Sequence, residues 1–166
     1  EQWDELDEVI DEIGVDATRY FLIEHRADTH LEFDLTLAKT QSSDNPVYYI
    51  QYAYARSCRI LEKCDHDRFD FASVTLNELT QIEHQMILLL VQWPDIAWSA
   101  AVQRQPYQIS AYCLKVARLF HSFYEQCPIM NADAQQQAQR IAILLKFQEI
   151  FQQIFGILGI SAPRQM

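Results

Sequence analysis

The sequence predicts an all-α fold, a helical bundle of about six or seven helices, and three observations carry that prediction. Apolar residues recur every three or four positions along most of the 166 residues, which is the period of a helix with one buried face. Three Gly and five Pro leave few interruptions. Only residues 30–35, HLEFDL, alternate in the manner of an extended strand. A chain of this length that is 49% hydrophobic can bury one sizeable core, and short connections place successive helices antiparallel.

The opening segment is read as a short amphipathic helix with Trp3, Leu6, Val9, Ile10 and Ile13 on its apolar side, stopped at Gly14. Asp16 is expected to cap a second helix that runs to about Arg26. From Ala27 to Asp34 the helical period is lost, and a loop or single strand is expected. Arg19, His25, Arg26 and His30 read as surface or interdomain residues rather than ligands. A brief helical turn from about Leu35 to Thr40 precedes QSSDNP, a cluster of turn formers whose short polar groups could meet an anion or a base edge.

Asn45 and Pro46 then start a helix: Asn accepts from an early backbone N–H, and Pro fits the first helical position. At roughly 100° per residue, Val47, Ile50, Tyr54, Cys58 and Leu61 share one stripe, a core seam. Tyr49, Tyr52, Arg56 and Arg59 gather on nearly the opposite one. Two rings beside two cations suit the stacking of unpaired bases next to phosphate. A helix buried on both sides satisfies the same pattern.

This helix is expected to end near Cys64, followed by a polar loop, DHDRFDFAS, whose Phe69 and Phe71 tuck back into the core. Thr75 and Glu78 have the T-x-x-E spacing of a capping box, ahead of a helix through Ile82, Met86, Ile87, Leu89 and Leu90 that Trp93 and Pro94 close. His84 reads as a surface or partly buried histidine. Asp95 is expected to cap a short helix to about Val102. Pro106 opens a long one in which Ile109, Cys113, Val116, Ala117, Phe120 and Tyr124 repeat at helical spacing, placing Tyr124 on the core side. Asp133 caps the last helix, with Ile141, Leu144, Leu145, Gln148, Phe151, Ile154, Phe155 and Leu158 as its apolar stripe and Gly159 as its stop. The ending at Met166 is short enough to be held against the bundle.

Cys58, Cys64, Cys113 and Cys127 form no CxxC pair and sit in apolar helical patterns, so they read as reduced core residues of a cytosolic protein, with no metal site. No apolar run approaches the roughly 18 residues of a membrane span. The net charge of −10 is local: residues 1–34 hold twelve acids against two Arg, and residues 35–166 hold eleven acids against eleven Lys and Arg. A neutral body behind an acidic lead is compatible with a small RNA footprint, not with a long track along duplex backbone. No Gly-rich phosphate loop, zinc spacing or nucleophile with a plausible base is present. The chain starts at Glu1 without an initiator Met, as a piece of something longer would.

NPVYYIQYAYAR, residues 45–56, resembles the signature with which the C-terminal domain of arginyl-tRNA synthetases opens. Residues 14–46 resemble the family's junction between catalytic and anticodon-binding domains, residues 114–130, LKVARLFHSFYEQCPIM, its middle helix, and residues 158–166, LGISAPRQM, its ending. The four segments keep family order.

The resemblance implies a C-terminal anticodon-binding domain of an arginine–tRNA ligase, of the class I synthetase type. Residues 1–40 would be an acidic junction to a missing catalytic domain and residues 41–166 the α-helical anticodon-binding domain. The implied partners are the anticodon loop of arginine tRNA and that catalytic domain, in the cytoplasm, with no membrane or DNA partner. ATP with magnesium, and arginine, would bind the missing domain, since the His-Ile-Gly-His and Lys-Met-Ser-Lys-Ser signatures are absent here; this piece would carry no cofactor and aminoacylate nothing. Within the site, Tyr49 and Tyr52 would stack bases, Arg56 would pair phosphate or base, Asn45 and Gln51 would supply base-edge hydrogen bonds, and Tyr124 and Met166 would close the pocket. Every arginine codon carries G in the middle, so the shared base to be read is C. A helical protein-interaction module, or the equivalent domain of another class I synthetase such as the cysteine enzyme, remains an alternative.

Overall fold

The computed structural model describes residues 6–26, 28–29, 34–64 and 74–166. Among these, every regular element is a helix: α1 (Leu6–Ile13), α2 (Val15–Ile23), α3 (Leu35–Lys39), α4 (Pro46–Lys63), α5 (Gln81–Leu90), α6 (Trp93–Gln103), α7 (Tyr107–Gln126) and α8 (Ala134–Leu158). Trp3, most of HLEFDL with His30, and the DHDRFDFAS loop with Phe69 and Phe71 lie outside the described residues.

Helices α4, α7 and α8 are the frame. Their inward faces bring Ile50, Tyr54, Cys58, Val116, Phe120, Phe123, Leu144, Phe147, Phe151 and Phe155 into one core. Phe120, Phe147, Phe151 and Phe155 form a continuous aromatic column, with successive ring centroids 4.5, 4.1 and 5.5 Å apart. Burying large rings in such offset and edge-on contacts supplies both area and geometry. The four cysteines are free thiols in buried positions; burial pushes the Cys58, Cys113 and Cys127 thiols up, away from the reactive thiolate.

Several helix starts follow the sequence. The Asn45 side chain accepts from the Val47 and Tyr48 amides, with Pro46 at the first helical position, and Asp133 accepts from Gln136. Gly159 stops α8 in the left-handed conformation. Others differ. The capping box is Thr80 with Glu83, not Thr75 with Glu78; the T-x-x-E spacing recurs five residues on, and there an unbroken helix follows at once, while Glu78 takes a positive φ of 50°. Asp16 does not cap α2: Gly14 occupies that position without a side-chain bond, and the Asp16 carboxylate is drawn to Ser161 and Gln51 instead. Asp95 lies in the first turn of α6, which begins at Trp93 with Pro94 second. On α7 Phe120 and Phe123 are fully buried while Tyr124 is 36% exposed, so at this end the core stripe passes one residue earlier than expected. Helix α8 is long and apolar enough, by length and composition, to cross a membrane, contrary to the sequence reading. Half of its most apolar window is buried inside the bundle, which accounts for that composition in a helix with Arg140, Lys146 and Glu149.

The N-terminal and C-terminal ends of the described chain meet. Arg19 on α2 donates to the Leu158 carbonyl at the end of α8 (2.9 Å), and the segment after Gly159 runs back across α4.

Candidate nucleic-acid interface

Residues four apart on a helix stack on one face. On α4 this rule lines up Tyr48, Tyr52 and Arg56, and on α7 it sets His121 about one turn before Tyr124. The Tyr48 and Tyr52 rings are nearly parallel (10°) with centroids 6.1 Å apart. Tyr52 in turn stacks on His121 at 5.9 Å and 14°. The Arg56 guanidinium lies 3.9 Å from the Tyr124 ring centroid and 5.6 Å from that of Tyr52, which joins the two helices through cation–π contacts.

Beyond this ridge a cleft of about 600 Å³ opens between α4, the end of α7, the loop that follows it and Met166. Its lining carries Arg56, Arg59 and Lys63 against one acid, Glu125. A chain with net charge −10 therefore presents a locally basic cleft, with a tyrosine face on either side of the central arginine. Arg59 donates to the Met166 carbonyl (2.8 Å), so the tail forms part of the wall. On the other side of the ridge a second cleft of about 480 Å³ lies between α1, α3 and α4 and is lined by Tyr48, Lys39 and, again, Met166.

The structure brings together Tyr52, Arg56, Tyr124 and Met166, and separates the other three residues singled out in the sequence. Tyr49 turns toward the core and packs on His121 with centroids 4.6 Å apart; it supports the ridge from behind and does not line the cleft. Burial pushes its hydroxyl pKa up. Gln51 is buried, and its amide N–H groups are taken up by Asp16 (2.8 Å) and by the Ser161 carbonyl and hydroxyl (3.1 Å each). Asn45 is buried too: its oxygen caps α4, and its NH₂ donates to the Ala38 and Thr40 carbonyls, both at 2.9 Å. Asn45 has partners for its donors and its acceptor, and both Gln51 N–H groups are committed, so neither amide has a donor left for a base edge.

His121, Tyr48 and Lys63 were not singled out from the sequence, although the rule of four that pairs Tyr52 with Arg56 would have found Tyr48. His121 sits between Tyr49 and Tyr52, edge-on to Phe120, and its buried Nε2 has no hydrogen-bond partner among the described residues. Burial, and then the Arg56 guanidinium, push its pKa below the ordinary histidine value, with Glu125 opposing in part. At this residue the unfolded chain therefore binds more protons than the folded one between the lowered folded value and about pH 6.5. The neutral ring's contribution to stability is present above that pH and is lost as pH falls through the folded value. Urea denaturation at pH 7 and pH 5 should show a smaller acid loss for His121→Phe than for the unaltered chain; equal losses would remove His121 from the acid response.

The comparisons with known proteins agree with this architecture. The model of the DALR anticodon binding domain matches residues 50–166. The chain belongs to that family. Among curated relatives, the DALR domain here is similar to arginine–tRNA ligases of Chlorobium phaeobacteroides (38% identity, 98% of this chain, 31% of the relative) and Chlorobaculum tepidum (40%, 98% and 30%). The chain thus spans about a third of the length of the relatives it matches. A solved structure of an arginyl-tRNA synthetase from Campylobacter jejuni superposes with a TM-score of 0.89 at 28% identity, covering 100% of this chain and 36% of that one. The Thermus thermophilus arginyl-tRNA synthetase shares the fold at a TM-score of 0.80 and 21% identity, covering 99% of this chain and 28% of that one.

Proposed function

We propose that this DALR domain binds the anticodon loop of arginine tRNA and serves an arginine–tRNA ligase, holding the loop while a catalytic domain of the same parent chain uses ATP, with magnesium, to charge the tRNA with arginine. The observation that carries the reading is the placement of Arg56 between the Tyr52 and Tyr124 rings at the mouth of a basic cleft. An extruded base can stack on a tyrosine face at about 1–3 kcal/mol per base, while Arg56, Arg59 and Lys63 meet the flanking phosphates. Of the seven residues singled out in the sequence, Tyr52, Arg56, Tyr124 and Met166 are the ones proposed to contact RNA, beside Arg59 and Lys63. The base proposed to enter is the middle anticodon C, which all arginine tRNAs share. Discrimination against other bases would come from hydrogen bonds in the cleft, since stacking alone tolerates any base.

A titration against several unmodified tRNA transcripts, at low and moderate salt, tests the reading. Selective binding of the arginine transcript supports it; a protein-interaction module would select none of them. In the same titration Arg56→Ala should lower the slope of log K against log salt by about one unit if it neutralises one phosphate. An unchanged slope would remove Arg56 from phosphate contact.

A further inference from the structure

The tail that carries Met166 leaves the core at the buried Ile160, and next to it a node at Ser161 is tied by hydrogen bonds to α2 and α4. The Asp16 carboxylate accepts from the Ser161 amide (3.0 Å) through one oxygen, and from the Ser161 hydroxyl and the Gln51 amide (2.8 Å) through the other. Gln51 also donates to the Ser161 carbonyl, which ties the node to the buried side of α4. One turn further along α2, Arg19 takes the Leu158 carbonyl, left without an intrahelical partner at the end of α8. The left-handed φ at residue 159 favours glycine, and a side chain there would also have to push the Arg19 guanidinium off the Leu158 carbonyl. Beyond Ser161 every residue but the half-buried Pro163 is exposed, and two surface contacts hold the end, Arg164 with Glu62 at 3.4 Å and the Met166 carbonyl with Arg59. Contacts of that kind hold a chain weakly. The direction of the tail is therefore set at Ser161, while its last residue lies against both clefts.

We infer that Asp16 and Arg19 are positioning residues for RNA binding: they latch the tail so that Met166 closes the tyrosine cleft, and they link that cleft to helix α2. The assignment rests on the RNA reading above for its ligand and on the hydrogen bonds of the node for its mechanism. Linkage runs both ways, so RNA held against Met166 tightens the latch, and a loosened latch weakens RNA binding.

Two measurements on the 166-residue chain test this. Without RNA, the Ser161 amide should exchange with solvent about tenfold faster in Asp16→Ala than in the unaltered chain, while the α5 and α7 amides keep their protection. With an unmodified arginine tRNA transcript, Asp16→Ala should weaken binding roughly fivefold or more, at the low end of ordinary coupling between sites. In a chain ending at Ser161 the same substitution should change affinity no further, because the tail it acts through is gone. Ser161→Ala, which leaves α2 untouched, should reproduce a smaller loss and covers the case in which Asp16→Ala fails to fold. Equal losses in the full-length and shortened chains would mean a general structural role and overturn the latch, as would unchanged Ser161 exchange. If the unaltered chain binds no transcript at all, the RNA reading fails and the positioning role fails with it. A binding chain that is indifferent to both substitutions sinks the latch alone.

Discussion

Arg140→Ala is expected to destabilise the fold by about 3–5 kcal/mol, the range for removing one partner of a buried ion pair. The Arg140 Nε donates to Glu83 Oε1 at 2.6 Å, with side-chain exposures of 6% and 2%, and the same guanidinium reaches the Pro128 carbonyl. The other Glu83 oxygen is committed to the Thr80 amide and hydroxyl, both at 2.7 Å. One carboxylate thus closes the start of α5 and clips it to α8. Burial by itself would raise the Glu83 pKa, but the bonds from Arg140 and Thr80 outweigh it and hold the carboxyl below the usual range. Stability from this group is therefore present above the unfolded value of about 4.3 and is lost as pH falls through the folded one. In Arg140→Ala the carboxylate is stranded, so the variant's deficit should shrink at low pH, where a protonated Glu83 is tolerated. Urea denaturation at neutral and acid pH reads both effects. A cost under about 1 kcal/mol, the scale of a surface pair, would contradict the clip.

Tyr52→Ala should weaken binding to an arginine tRNA transcript by about 5–150-fold, the equivalent of 1–3 kcal/mol of stacking. Tyr52 is the middle ring of the ridge, in contact with Tyr48, His121 and Arg56. It is only partly buried, so the far-ultraviolet spectrum should stay helical. Tyr52→Phe keeps the ring and should keep most of the affinity. A normal affinity for Tyr52→Ala would remove this ring from the interface.

Local signals made much of this fold legible. Asn45 with Pro46, Asp133 and Gly159 mark boundaries because each acts on backbone groups within a few residues of itself. The tyrosine face of α4 was legible for the same reason, since Tyr52 and Arg56 meet through one helical turn. Long-range partners were not. Gln51 bonds Asp16 and Ser161, 35 and 110 residues away, and no local pattern shows that its amide N–H groups are consumed. Asp16 carries the sequence mark of a cap, yet finds better donors in the tail. Tyr124 shows how close the margin is: residues 120, 123 and 124 all fall near one face of α7, and Phe123 is taken into the core while Tyr124 is left for the cleft.

The central claim, that this face reads the shared middle base of the arginine anticodons, is tested most directly by changing that base. Binding of the unaltered chain is compared between an arginine tRNA transcript and transcripts with U, A or G in place of the middle C. Each substitution should weaken binding by about 1–3 kcal/mol, the cost of polar groups left unpaired in the cleft. Equal affinity for all four transcripts would contradict the assignment of the Tyr52, Arg56 and Tyr124 cleft to the anticodon.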